Sequence, residues 1–364
     1  MNEIFLIQDN RHLEEFKDKS FCGFKKTEVY KTLFRSIESG QIENACHWLT
    51  ECMISGYSID LLDKLIAFSS KLIHINNPKL PVYLHRKYMY FFKSIDNINV
   101  KKQKHLTIHF RNNLVLRNLM FDLVSILTIS PKTKRYDKYP KINETTEFQF
   151  ESIKNRLRAQ ANFCPDTLFK FTDPEELRVV INEIMFHCKN INSGYNEGAY
   201  WIAWIFQWEK KNKKMKQVFE IDEREIDNIK PAYKKDVVWL LWSALLYEAS
   251  TRDEPTKQQV FALYKLFKYE FTGPKRNLRI PMIYHTLGYL THSVNFTLPL
   301  IYDKRIYIQC QCNVNYMFKM KKKHEIGGSP KPLPKKEKRK KPDIQTEKTN
   351  DLFSVINDID QLIR

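Results

Sequence analysis

Apolar positions recur at helical spacing along most of the chain. In TEVYKTLFRSIESG, residues 27–40, Val29, Leu33, Phe34 and Ile37 fall at i, i+4, i+5 and i+8, one face of a helix. Thr27 is expected as its N-cap and Gly40 as its C-cap. A second helix is expected from Ile42 to Ser55, closed by Gly56, and a third from Ile59 to Ile73, opened by Ser58. Pro78 and Pro81 mark the start of a fourth, and NLVLRNLMFDLVSILTIS, residues 113–130, reads as a further apolar helix stopped at Pro131. The pattern lapses through PKTKRYDKYPKINETTEFQF and resumes at Asp173-Pro174-Glu175-Glu176, where Asp173 has the form of a cap ahead of an acidic first turn.

The second half repeats the layout of the first. ELRVVINEIMFHCKNINSGYNEGAYWIAWIFQWEKK follows the order of EVYKTLFRSIESGQIENACHWLTECMISG, with Trp48 aligned on Trp201. The expected fold class is all-α, with two related multi-helix modules plus a disordered basic tail. The expected segments are a lead-in (1–24), module 1 (25–140), a linker (141–172), module 2 (173–318), a basic flexible linker (319–350) and a C-terminal docking helix (351–364). In that last segment Leu352, Phe353, Ile356, Ile359 and Leu362 share a stripe, the expected partner-binding face.

Charge changes this picture at one end. The 364 residues carry a formal net charge of +18, which favours phosphate-bearing partners: nucleic acid first, an anionic membrane surface second. Residues 319–348 hold 12 Lys/Arg against 4 Asp/Glu. The expected nucleic-acid-binding residues are Lys321, Lys322, Lys323, Lys335, Lys336, Lys338, Arg339, Lys340 and Lys341. The run KKEKRKK also fits a nuclear import signal. Smaller basic spots occur at KNKKMK, KRYDKYPK and GPKRNLR. The seven cysteines include no C-x-x-C pair, the start MNEIFLIQDN has no cleaved-signal pattern, and no apolar run has the length of a membrane span. These features favour a reducing, cytosol-like setting.

Candidate chemistry is sparse. Cys46, His47 and Cys52 lie on one helix, but a separation of six residues turns Cys46 and Cys52 to different sides, so buried packing is favoured over a metal site. His105 and His109 could share a face without carboxylates to complete a site. Cys310-Gln-Cys312 fits exposed thiols or a strand edge. Phosphate-binding glycine loops, G-x-S-x-G and H-E-x-x-H are absent. Trp201, Trp204, Trp208, Trp239 and Trp242 could stack on bases, but their apolar neighbours favour a core.

Two resemblances follow from these motifs. Ala45, Trp48, Leu49, Gly56, Ser70, Ile73, Asn77, Pro78, Pro131 and Lys132 occupy positions that resemble the helical collar region of clamp-loader-related AAA+ ATPases. The ATPase motifs are missing, so this likeness implies scaffolding and self-association and nothing catalytic. NPKLPVYL (77–84), YWIAWI (200–205), VVWLLWSALLY (237–247) and DLF (351–353) resemble a protein family of large nucleocytoplasmic DNA viruses, the giant viruses. That likeness brings no activity with it.

Together these features lead to an expected non-enzymatic scaffold or accessory factor associated with viral DNA replication or nucleoprotein. The competing readings are a virion structural protein packed against genome or inner membrane, and an enzyme with dispersed catalytic residues. No cofactor and no metal ligand is expected. Expected partners are DNA or another polyanion, a viral protein for the C-terminal helix, and further copies of the chain, with no transmembrane segment. The expected locations are host cytoplasm or virus factory, nucleus, or virion.

Overall fold

A computed structural model describes residues 3–95, 110–133, 139–216 and 219–327. Among these residues the protein is all-α, with thirteen α-helices and no strand. A lone antiparallel bridge joins Lys19 and Lys25. No helix among the described residues is long and apolar enough to cross a membrane.

The helices are α1 (Lys26–Glu38), α2 (Ile42–Ile54), α3 (Ser58–Leu72), α4 (Leu80–Ile95), α5 (Leu114–Ile129), α6 (Phe150–Arg156) and α7 (Glu175–Lys189). Then come α8 (Tyr195–Lys214), α9 (Val238–Ser250), α10 (Glu254–Lys268), α11 (Gly273–Thr291), α12 (Lys304–Cys312) and α13 (Val314–Lys321). Local chemistry accounts for many boundaries. Gly40 and Gly56 take positive φ after α1 and α2, where a side chain would be strained. The Asn113 side chain caps α5 by accepting from Leu116 N–H, and Pro131 follows its end. Asp303 caps α12 in the same way.

Two expected caps fail. Helix α1 starts at Lys26, so Thr27 lies inside its first turn. Asp173 does not cap α7. Its carboxylate pairs with Arg224 and accepts from the N–H groups of Lys170 and Asp222, leaving nothing for the helix. The charge pattern was that of a helix start, but a remote arginine offers a stronger partner.

The chain divides into two compact units. Unit 1 is Met1–Leu65, Arg86–Ser130 and Leu300–Arg364; unit 2 is Ile66–His85 and Pro131–Pro299. The divisions fall within α3 and α4 rather than in the linker expected over residues 141–172. Residues 304–318, expected in the second module, belong with unit 1.

In unit 1, α2 packs on α1 and α5, and α12 and α13 pack back on α5 and α2. The core includes Leu33, Ile37, Leu49, Met53, Met120, Phe121 and Phe318, all at 0% exposure. Tyr307 of α12 donates to Asp122, and Phe318 of α13 packs on Phe121. The buried Arg117 guanidinium lies 3.6 Å from the Phe318 ring centroid and donates to the carbonyls of Arg111 and Phe5 and to Asn112 Oδ1. Burial holds its pKa down at about 10.

In unit 2, α7 packs along α8, and α11 packs on α7, α8, α9 and α10. Trp201, Trp204, Trp239 and Trp242 are buried, so these aromatics form core and offer no stacking platform. Gly198 lets α8 approach α11 closely: a Cβ there would meet a Leu287 methyl at 2.9 Å.

Candidate functional site

The expected phosphate-binding lysines meet different fates. Lys321, the last residue of α13, is buried, with 4% of its surface exposed. Its Nζ donates to Glu51 Oε2 at 2.8 Å and to His47 Nε2 at 3.1 Å, and lies 3.9 Å from Cys22 Sγ. An ammonium has three N–H donors and no acceptor. All three are matched here, so Lys321 is not a phosphate-binding residue. Lys322 donates to the Leu6 carbonyl at 2.7 Å and lies near Glu325, whereas Lys323 is exposed. Lys335, Lys336, Lys338, Arg339, Lys340, Lys341, Leu352, Phe353, Ile356, Ile359 and Leu362 lie outside the described residues, as do His105 and His109.

The cluster around Lys321 brings together a thiol, an imidazole, a carboxylate and an amine. Its protonation states follow from its packing. Burial raises the Glu51 carboxyl, but the Lys321 charge and hydrogen bonds from Cys22, Lys321 and Ser20 outweigh that and hold it below the usual range. Burial, then the hydrogen bond to Glu51, pushes the Cys22 thiol up to about 12. Burial and the charges of Lys321 and Lys323 lower the His47 pKa despite Glu51. Because Lys321 can only donate, His47 accepts on Nε2 and carries its proton on Nδ1. The result is a protonated thiol, a neutral imidazole and a closed ion pair. A reactive cysteine needs a depressed pKa, and this one is displaced the other way. The arrangement is an anchor for α13 on α2.

That anchor continues along the chain. Asn10 N–H donates to the Ile326 carbonyl, Ile326 N–H to Asp9, and Gln8 N–H to Glu325. Arg11 donates to the carbonyls of Phe21 and His324. Residues 324–326 are thereby held on residues 8–11 of unit 1.

Above the anchor stands the loop of residues 19–25. Phe21 is buried against Phe16, and its N–H donates to Ser55 Oγ at 2.8 Å. Cys22 N–H donates to Glu51 Oε1 at 2.7 Å. Gly23 supplies the positive φ of the tip. Phe24 exchanges backbone contacts with Ser20: Ser20 N–H donates to the Phe24 carbonyl, and Phe24 N–H to Ser20 Oγ. The Phe24 ring stays 42% exposed and meets the half-buried Trp48 edge-on at 5.2 Å.

Other groupings are structural. Cys46 and Cys310 are buried and hydrogen-bonded, and that bond with burial raises the Cys46 thiol. Cys52 is fully buried elsewhere on α2, where burial and then the Glu51 charge raise its thiol, so the two α2 cysteines do face different surroundings. Cys310 and Cys312 end a helix rather than edging a strand, and only Cys312 is exposed. His74 and His285 pack ring on ring at 4.5 Å inside unit 2, and burial holds the His285 pKa down at about 3. An open groove of about 450 Å³ is lined by Gln160, Asn162, Asp166, Phe169, Arg178 and Asn182 among others. Its asparagines are engaged in shaping the 161–164 loop. Within the described basic spots, Arg276 pairs with Glu209 and Asp236, Lys213 with Glu209, and Lys214 with Glu144, whereas residues 134–138 lie outside the described residues. Among the described residues no three His, Cys, Asp or Glu side chains are grouped to hold a metal ion.

The Lys321 cluster was missed in sequence because its members lie 270 residues or more from Lys321 along the chain. The one usable signal was Glu51, an acid on a strongly apolar helix. No family model, no curated protein and no solved structure matches this chain.

Proposed function

We propose that this chain is a non-enzymatic helical scaffold or accessory factor that associates with viral DNA replication or nucleoprotein. The viral setting rests on the resemblance carried by residues 77–84, 200–205, 237–247 and 351–353. The observation that carries the nucleic-acid part is the anchored start of the basic run. Lys321 and Lys322 are spent holding residues 321–326 on unit 1, and nine Lys/Arg follow Gly327. A fixed base with a cationic extension suits retention of a polyanion by counterion release. The electrostatically closed cluster at Cys22 supports the non-enzymatic part.

The test is duplex-DNA binding by the full chain across a salt series, compared with a chain ending at Gly327. Truncation there leaves the anchor intact. Affinity and the slope of log affinity against log salt should both fall on truncation. Equal affinity and slope for the two chains would remove the basic run from the reading.

A further inference from the structure

We infer that the Phe24–Trp48 pair is a stacking site for the bases of single-stranded nucleic acid. This rests on the nucleic-acid reading above and gives it a second contact, distinct from the basic run.

Phe24 is held firmly by the loop that carries it. An exposed aromatic on a loose loop needs no explanation. Here the loop is tied at every level. Lys19 and Lys25 bridge at its base, Phe21 plugs the core, and Ser55 and Glu51 take the N–H groups of Phe21 and Cys22. Both backbone polar groups of Phe24 are used by Ser20. The Phe24 backbone is therefore held in one place and its ring rests against Trp48, which leaves little to order on binding, as a preorganised contact requires. Its neighbour Trp48 has the largest aromatic surface available and remains half-buried.

The surroundings match a polyanion. Lys19 and Lys25 are exposed beside the aromatic loop. Lys323 is exposed and close enough to His47 to lower its pKa. Glu51, which accepts from the Cys22 N–H of the loop, is neutralised by Lys321. Two acids adjoin the base of the loop: Asp18 before Lys19, and Glu28, whose N–H donates to the Lys25 carbonyl. Aromatic rings flanked by lysines accept successive bases on their faces while the cations follow the phosphates. Duplex DNA keeps its base faces stacked and would not use the rings.

The experiment is anisotropy of a labelled oligothymidylate, an abasic strand of equal length and an oligouridylate, each with the full chain. Phe24→Ala should weaken oligothymidylate binding about tenfold while leaving the salt slope unchanged, since stacking releases no counterions. Binding of the abasic strand should not change, and Phe24→Trp should restore affinity. Trp48→Leu provides a second variant, with the thermal midpoint checking that each variant is folded. The oligouridylate distinguishes DNA from RNA as the preferred source of bases. If Phe24→Ala and Trp48→Leu both bind oligothymidylate like the parent, the stacking site is overturned. If in addition truncation after Gly327 removes binding, the nucleic-acid reading survives without it. If the parent binds neither single strands nor duplex at low salt, both fall.

Discussion

In α8, Trp204 lies beneath the stretch that leads into α6, and Trp201 is fully buried against Tyr200 and Trp204. Phe148 packs on Trp204 at 5.0 Å, Trp204 Nε1 donates to the Glu147 carbonyl, and the Arg156 guanidinium lies 3.4 Å from the Tyr200 ring centroid. In α2, Trp48 occupies the position aligned with Trp201, but there Phe24 of the loop of residues 19–25 meets it edge-on and it stays half-buried. The two helices have the same order of small residue and tryptophan. They differ in what lies over them, and that difference makes one tryptophan core and leaves the other partly exposed.

The largest expected effect breaks the sealed side. Trp201→Ala removes a fully buried indole and should cost about 3–5 kcal/mol in chemical denaturation. On the open side, the comparable loss comes from the anchor and not from the tryptophan. Lys321→Ala leaves Glu51 charged and buried without its partner and should cost about 3–5 kcal/mol, with Lys321→Met/Glu51→Met recovering most of it.

Acid should weaken unit 2 next. The His285 pKa is about 3 in the folded chain against 6.5 for an ordinary histidine, so the unfolded chain binds the proton first. The stability that depends on a neutral His285 is complete above pH 6.5 and lost as pH falls toward 3. At about pH 5 the loss should be about 2 kcal/mol, and His285→Gln should flatten that part of the profile.

Trp48→Ala should cost less than its counterpart, about 1–2 kcal/mol, because much of its surface is already wet. An equal cost for Trp48→Ala and Trp201→Ala would erase the distinction between the helices. The smallest effect is Lys323→Gln, within about 0.5 kcal/mol on stability. Its contrast with Lys321→Ala, two positions away, measures how different two neighbouring lysines have become.

Much of the local structure was legible. Val29, Leu33 and Ile37 repeat at helical spacing and are all buried in α1, and Gly40, Gly56 and Pro131 stand where helices end. Signals of this kind come from residues within a turn or two of one another. The candidate site was not legible by the same means. KMKKKH reads as a uniform basic patch, yet one of its lysines is buried by residues contributed from 22, 47 and 51. Asp173 shows the same limit: its neighbours in sequence describe a cap, and Arg224 takes the carboxylate instead.

What the sequence by itself determined is the all-helical character, the helix ends, and the concentration of positive charge after residue 318. These depend on periodicity, caps and composition, which act over short stretches. Tertiary structure alone decided the membership of the units, the burial of Lys321 and the exposure of Phe24 and Trp48. Each of those depends on which remote segment covers a side chain and supplies its hydrogen-bond partners, and short-range pattern does not carry that information.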